Sequence, residues 1–275
     1  MARMLYLHEV IDIVGDKAVE YMEQSVLGFH TDGAADRGLE LWGTWYVMGS
    51  TGRWPQVVSI WEMADGWASW ERLCRSTNVN REANAELNDW WLQALQRRSG
   101  GFDRLLGPLT GTRSLARLAA DPLEGELFVH ELTTVPAGGA VEYLRVVETE
   151  LAPLREEYGH ELVGAFETLM SDTEVCTVWA TTLTNHVALG AALDESRKVF
   201  VRDPDAWARD PAPFDKRLAR WEERRRGFTT HWREELMIPC PGSPMGPDAW
   251  PGASQTAGSS EPGPASPTAP SPASQ

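Results

Sequence analysis

"LYLHEV" (Leu5–Val10) and "LFVHEL" (Leu127–Leu132) decide the fold. Each sets a His-Glu pair inside an apolar run whose alternation is that of a strand. With His8 laid over His130, an offset of 122 positions, Glu9 meets Glu131 and Ala18 meets Ala140. "VEYM" (Val19–Met22) then meets "VEYL" (Val141–Leu144). Further on, "LWGTW" (Leu41–Trp45) falls over "LVGAF" (Leu162–Phe166), and "VVSIWE" (Val57–Glu62) over "VCTVWA" (Val175–Ala180). The offset shrinks slightly along the chain, as loop deletions in the second copy would make it. A period this long is that of two copies of one domain rather than of a solenoid.

Each copy spells the same elements. In the first, the alternating strand is followed by a helical segment over Asp16–Gly28, with Ala18, Val19, Met22 and Val26 on one face. A second strand is predicted over Leu39–Met48, a Gly- and Pro-containing turn over Gly49–Pro55, and a third strand over Gln56–Met63. A second helix begins near Asp65, where the carboxylate can cap it. "GFDRLLGPL" (Gly101–Leu109) is the candidate fourth strand, and "EELMIPC" (Glu234–Cys240) its counterpart. The second copy repeats the pattern: strand from Leu127, helix from Gly139, strand from Glu161, turn over Ser171–Glu174, strand from Val175 and helix from Asn185. Longer helices are predicted over Asn80–Arg98 and Asp210–Leu236. The fold class is therefore α+β: two tandem ferredoxin-like β-α-β-β-α-β repeats packing as an intramolecular α+β barrel. The expected boundaries are residues 1–118 for the first repeat, 119–245 for the second, and 246–275 for a Pro/Ser/Ala/Gly-rich tail too polar to bury a core.

Composition narrows the function. An apolar fraction of 42% with 13 Trp is enough for a core, which argues against global disorder. A net charge of −15 repels nucleic acid and anionic membrane surfaces, so neither is expected as a partner. "ERRRGF" (Glu223–Phe228) is the one basic knot and reads as a solvated helix face. No leader-like start and no membrane-length apolar run is read, which predicts a cytoplasmic protein. Cys74, Cys176 and Cys240 are odd in number and far apart; they read as bystander thiols, with no metal site expected. There is no H-E-x-x-H, G-x-S-x-G, P-loop or G-x-G-x-x-G after a strand.

The duplicated pattern resembles the NIPSNAP family of the dimeric α+β barrel group. The likeness lies in "QVVSIWEMADGWASWERL" (Gln56–Leu73), similar to that family's third strand and next helix, and in "LMIPCPGSPM" (Leu236–Met245), similar to its terminal strand. Where the family's first strand commonly carries Glu-Leu-Arg, this chain has Tyr6-Leu7-His8. The resemblance implies a barrel of two sheets with helices outside. Related barrels without cofactors carry out oxygenations, cyclisations and isomerisations, and some duplicated ones hold haem through a single His.

In such a barrel one side of each first strand faces the helices and the other faces the lumen. Leu5, Leu7, Leu127 and Val129 are assigned to the helices; Tyr6, His8, Val10, Phe128, His130 and Leu132 to the lumen. Trp42, Trp45, Tyr46, Trp61, Phe166 and Trp179 are expected to line or fill the lumen. His8 and His130 are the candidate catalytic bases, since imidazole titrates near neutral pH. Tyr6, Trp42, Trp45, Trp61, Phe128, Phe166 and Trp179 are the candidate substrate contacts. His30 and His160 read as surface residues, and His186 as packing or surface. The expected function is binding of a small hydrophobic molecule, with or without turnover, by a cofactor-independent barrel. Haem is the alternative cofactor, and a non-catalytic scaffold the alternative class. One chain can supply the whole barrel, as a monomer with an internal pseudo-dimer or as a homodimer.

Overall fold

The computed structural model describes residues 3–79, 84–197 and 214–250. Eight antiparallel strands close into one barrel in the order β1-β3-β2-β8-β5-β7-β6-β4. They are β1 (Leu5–Ile13), β2 (Glu40–Val47), β3 (Gln56–Met63), β4 (Arg98–Pro108), β5 (Leu127–Thr134), β6 (Glu161–Thr168), β7 (Glu174–Thr181) and β8 (His231–Pro239). The first half of the chain thus gives β4-β1-β3-β2 and the second β8-β5-β7-β6, the same ferredoxin-like order twice. The two sheets join where Trp45, Tyr46 and Val47 pair Pro239, Ile238 and Met237, and where Leu106–Pro108 pair Thr168–Phe166. Each seam is short, three residue pairs, and together they close the barrel.

The helices cover the outside. In the first half α1 (Ala18–Glu20) continues helically to residue 37, followed by α2 (Trp67–Cys74) and α3 (Ala85–Ala94). α4 (Leu115–Ala120) lies in the connection between the halves. The second half has α5 (Ala140–Val146), α6 (Ala152–Glu156), α7 (Leu183–Arg197) and α8 (Lys216–Phe228). None of these is long and apolar enough to cross a membrane. Asp65 does not cap α2: its N-cap is Gly66, and Asp65 instead accepts from Arg72 Nη2 at 2.7 Å.

The strand alternation sorts the core into three parts. Tyr6, Val10, Phe128 and Leu132 join a cluster inside the barrel. Leu5 and Ile11 pack under the first-half helices, and Leu127 and Val129 under the second-half helices. The expected division of the first strands is therefore the observed one. The helix read to Leu236 ends at Phe228, because residues from His231 pair with β5 instead. The part of that reading over 210–213 lies outside the described residues, as do residues 80–83 of the other long helix and 251–275 of the tail. Trp250, on the tail side of the expected boundary, donates from Nε1 to Glu23 at 2.8 Å and packs on Tyr46.

Candidate functional site

β1 and β5 stand four places apart in the eight-strand ring, so His8 and His130 face each other across the lumen. Their ring centroids are 5.0 Å apart and both side chains are buried. Neither nitrogen of His8 has a hydrogen-bond partner, and neither has Nε2 of His130. His130 Nδ1 lies 3.3 Å from Glu235 Oε2. Burial, and then the positive potential of His130, Arg104 and Arg233, hold His8 well below the ordinary histidine value. Burial alone would raise Glu235, but the hydrogen bond from His130 and the neighbouring cations outweigh it and keep the carboxyl low. Cys176, read from the sequence as a bystander, joins the pair from β7: its sulfur and a nitrogen of each imidazole all lie within 4.8 Å of one another. The first half has Val58 at the corresponding position, so this cluster is asymmetric.

The rest of the lumen is filled. Tyr6, Trp42, Trp45, Phe128 and Phe166 pack there as expected, with Tyr6 edge-on to Phe166 at 5.1 Å. Trp42 and Trp45 both point inward because β2 carries a bulge between Leu41 and Gly43. β6 repeats that bulge between Leu162 and Gly164. At each bulge a glycine gives room to a ring: a Cβ on Gly43 would lie 2.2 Å from Trp45, and one on Gly164 2.4 Å from Phe166. α4 closes one end. Glu62 accepts from Tyr6 Oη at 2.8 Å and from the Leu115 backbone N–H at 2.8 Å, and Trp42 Nε1 donates to the Arg113 carbonyl at 2.7 Å.

Trp61 and Trp179 are not in the lumen. Val58 and Ile60 on β3, and Cys176 and Val178 on β7, point inward, so Trp61 and Trp179, one place further along each strand, point out beneath the helices. Tyr46 likewise lies outside. On that outer face the two halves diverge. In the first, Glu9 sits at the floor of a cavity of about 70 Å³ lined by Tyr21, Phe29, Trp61, Leu87, Trp90 and Trp91, among others. Trp61 Nε1 donates to Glu9 Oε2 at 2.6 Å. Burial, and then the nearby Asp103 carboxylate, push Glu9 up to about 7. In the second half Glu131, Tyr143 and Trp179 replace Glu9, Tyr21 and Trp61, and the space between sheet and helices holds charge. Arg155 pairs with Glu234 and stacks on Trp179 at 4.6 Å. Arg225 pairs with Glu222 at 2.7 Å and reaches Glu131 at 3.7 Å. Arg225 is buried, so only its neighbours in the basic knot form the solvated face expected there. The Glu9 cavity escaped sequence reading because its residues come from β1, β3 and three helical segments. The one available signal was Glu9 on the same strand side as Leu7.

His30 is exposed, as expected. His160 is not: it is 1% exposed, with Nδ1 3.2 Å from the Tyr158 carbonyl and Nε2 3.3 Å from His186 Nδ1. The Arg155 guanidinium and the Glu234 carboxylate complete its charged surroundings. Burial, then Arg155 and His186, lower it to about 4. Its folded value lies below its unfolded one, so the unfolded chain takes up the proton first as pH falls. Its stabilising contribution is complete above about pH 6.5 and declines toward pH 4. A loss of about 1–3 kcal/mol is expected across that window. Urea titrations at several pH values check this; His160→Gln should flatten the profile between pH 4 and 6.5, and an unchanged slope would refute the assignment.

No protein-family model matches the chain, and no curated protein matches its sequence. Solved structures do match in fold. An anthrone oxidase-like protein aligns with TM-score 0.53 and 9% identity, over 86% of this chain and 91% of its own. A protein from Fusobacterium nucleatum, provisionally described as a monooxygenase, aligns with TM-score 0.52 and 10% identity, over 87% and 93%. One from Lactobacillus acidophilus, similarly described, aligns with TM-score 0.51 and 11% identity, over 86% and 94%. The chain has the dimeric α+β barrel fold, built here from one polypeptide.

Proposed function

We propose that this protein binds a small hydrophobic molecule bearing a hydrogen-bonding group, in the cavity beneath α2 and α3, with Glu9 as its polar anchor. The observation that carries the reading is the contrast between halves: matching residues enclose an aromatic cavity in one and a packed ion network in the other. An apolar, aromatic lining with one or few convergent polar groups is the usual form of a small-molecule site. The volume of about 70 Å³ selects a ligand of a few heavy atoms, or a flat ring slotted between the tryptophans. Trp61 keeps its role as a candidate ligand contact, from the outer face. Glu9 is also the group within reach of a bound molecule's proton, which makes cofactor-independent acid–base turnover the enzymatic form of this reading. The descriptions of the barrels that share the fold agree with chemistry on small molecules. The finer likeness to NIPSNAP proteins, and descent of both halves from one duplicated unit, belong to the same proposal and rest on the sequence stretches quoted above.

Native mass spectrometry of the full chain, with an absorption scan of the same sample, tests it, alongside calorimetric titration with indole and phenol. Retained small-molecule mass or probe binding is expected. Thr77→Trp, which fills the cavity from its rim, should abolish it, and Glu9→Gln should weaken it about tenfold through loss of a charge-assisted hydrogen bond. Binding that is indifferent to both substitutions would refute this site. A Soret band in the purified protein would replace the reading with the haem one.

A further inference from the structure

We propose that His8, His130 and Cys176 form a metal-binding site inside the barrel, for a borderline or soft transition-metal ion such as Zn²⁺. The three donors come from β1, β5 and β7 and converge on one point of the lumen, with one donor atom from each within 4.8 Å of the others. All three side chains are buried, and three of the four imidazole nitrogens have no hydrogen-bond partner. A polar side chain buried without a partner is costly, and natural cores rarely keep one without a use for it. The simplest alternative is a direct hydrogen bond between the two imidazoles. It is not made: the rings are tilted by 45° at 5.0 Å, and both nitrogens of His8 stay unsatisfied.

The surroundings have the form of a metal site. Glu235 Oε2 lies 3.3 Å from His130 Nδ1, a carboxylate acceptor that favours the proton on Nδ1 and leaves the unpartnered Nε2 free to ligate. A carboxylate behind a ligating histidine is the common outer-sphere device that fixes the tautomer. Two imidazoles and one thiolate select zinc or copper(I) over magnesium or calcium. In a tetrahedral zinc site the donor atoms stand about 3.5 Å apart. The cluster therefore closes by roughly 1 Å through side-chain rotation. Cys176 binds as thiolate, its proton leaving to solvent, and so offsets one of the two charges of a divalent ion. The nearby cations are already engaged, Arg104 with Glu174 and Arg233 with Glu235. No fourth donor joins the three among the described residues, which leaves a coordination position for water or a small ligand. The site is independent of the Glu9 cavity, which lies on the opposite face of β1.

Because the site is enclosed, the ion must enter as the chain folds. The full-length protein is therefore expressed in medium supplemented with Zn²⁺ or Co²⁺, purified under reducing conditions, dialysed and analysed for metal. About one ion per chain is expected to remain. The cobalt form should show a thiolate-to-metal charge-transfer band with intensified visible absorption. Cys176→Ser should remove the band, and His8→Asn should remove most of the bound ion. Glu235→Gln should lower affinity about tenfold. Wild-type protein retaining less than about one tenth of an ion per chain would overturn the proposal, whatever the variants do. Cobalt bound without the thiolate band would overturn it equally.

Discussion

Arg155→Met is expected to destabilise the protein by about 3–5 kcal/mol, the range for removing one partner of a buried ion pair. Arg155 is 4% exposed, pairs with Glu234, and lies over the Trp179 ring at 4.6 Å. Its burial disfavours the charge, yet Glu234 and Glu131 together hold its pKa above the ordinary value. Glu234 is correspondingly lowered, the charge and hydrogen bond of Arg155 outweighing desolvation. Met replaces the aliphatic stem and keeps the stacking volume, so the loss reports the stranded carboxylate. That carboxylate relieves itself by taking a proton. The deficit should be largest at neutral pH and shrink as pH falls toward 5, because Glu234 in the variant titrates above its unfolded value instead of below it. Adding Glu234→Leu should recover most of the loss, since a well-packed apolar pair can match a buried ion pair. Urea denaturation of the two variants at pH 7 and pH 5 checks both statements. A deficit under about 1 kcal/mol at pH 7 would show that water reaches this network.

The same network explains which parts of the structure the sequence could and could not reveal. Strand parity on β1 and β5 was legible, because Leu5, Leu7, Leu127 and Val129 are plainly apolar and alternate with the His-containing side. Parity on β3 and β7 was not, because "VVSIW" and "VCTVW" are apolar on both sides; a strand covered on two faces loses its alternation. Periodicity therefore does not separate the two faces there, and Trp61 and Trp179 lie outside the lumen where the sequence suggests they line it. "HWREEL" has the composition of a helix, and α8 nevertheless ends before it, at Phe228. It forms β8 since its charges have partners in the sheet: Glu234 faces Arg155, and Glu235 faces His130. Tertiary pairing overrides propensity there. The cluster at His8, His130 and Cys176 was half legible. The two histidines stand in the matching stretches of the two halves, but Cys176 stands where the first half has Val58, and no local spacing marks it. The Glu9 cavity depends on what α2 and α3 leave unfilled, which periodicity does not encode.

The lumen itself yields the second large effect. Trp45→Ala should cost about 3–5 kcal/mol, as for other buried large-to-small changes. Trp45 is fully buried, tilted against Phe128 at 5.4 Å and edge-on to Trp42 at 6.0 Å, and its ring fills the space above Gly43. The bulge that turns both Trp42 and Trp45 inward is closed by strand pairing on each side, so the backbone cannot collapse to fill the gap. Trp45→Phe should cost much less than the alanine change. It removes Nε1, a buried donor with no partner, along with part of the ring, and the two effects oppose each other. The alanine variant should also gain a second aromatic-binding site, in the lumen, besides the Glu9 cavity. An enclosed apolar void of this shape binds small aromatic molecules. Saturating indole should therefore restore part of the lost stability through binding to the folded state alone. Thermal melts of both variants with and without indole measure this. If alanine and phenylalanine cost the same, the ring is not packed as described. If indole raises the melting temperature of native protein and Trp45→Ala equally, it binds at the Glu9 cavity and the lumen void has been lost to repacking.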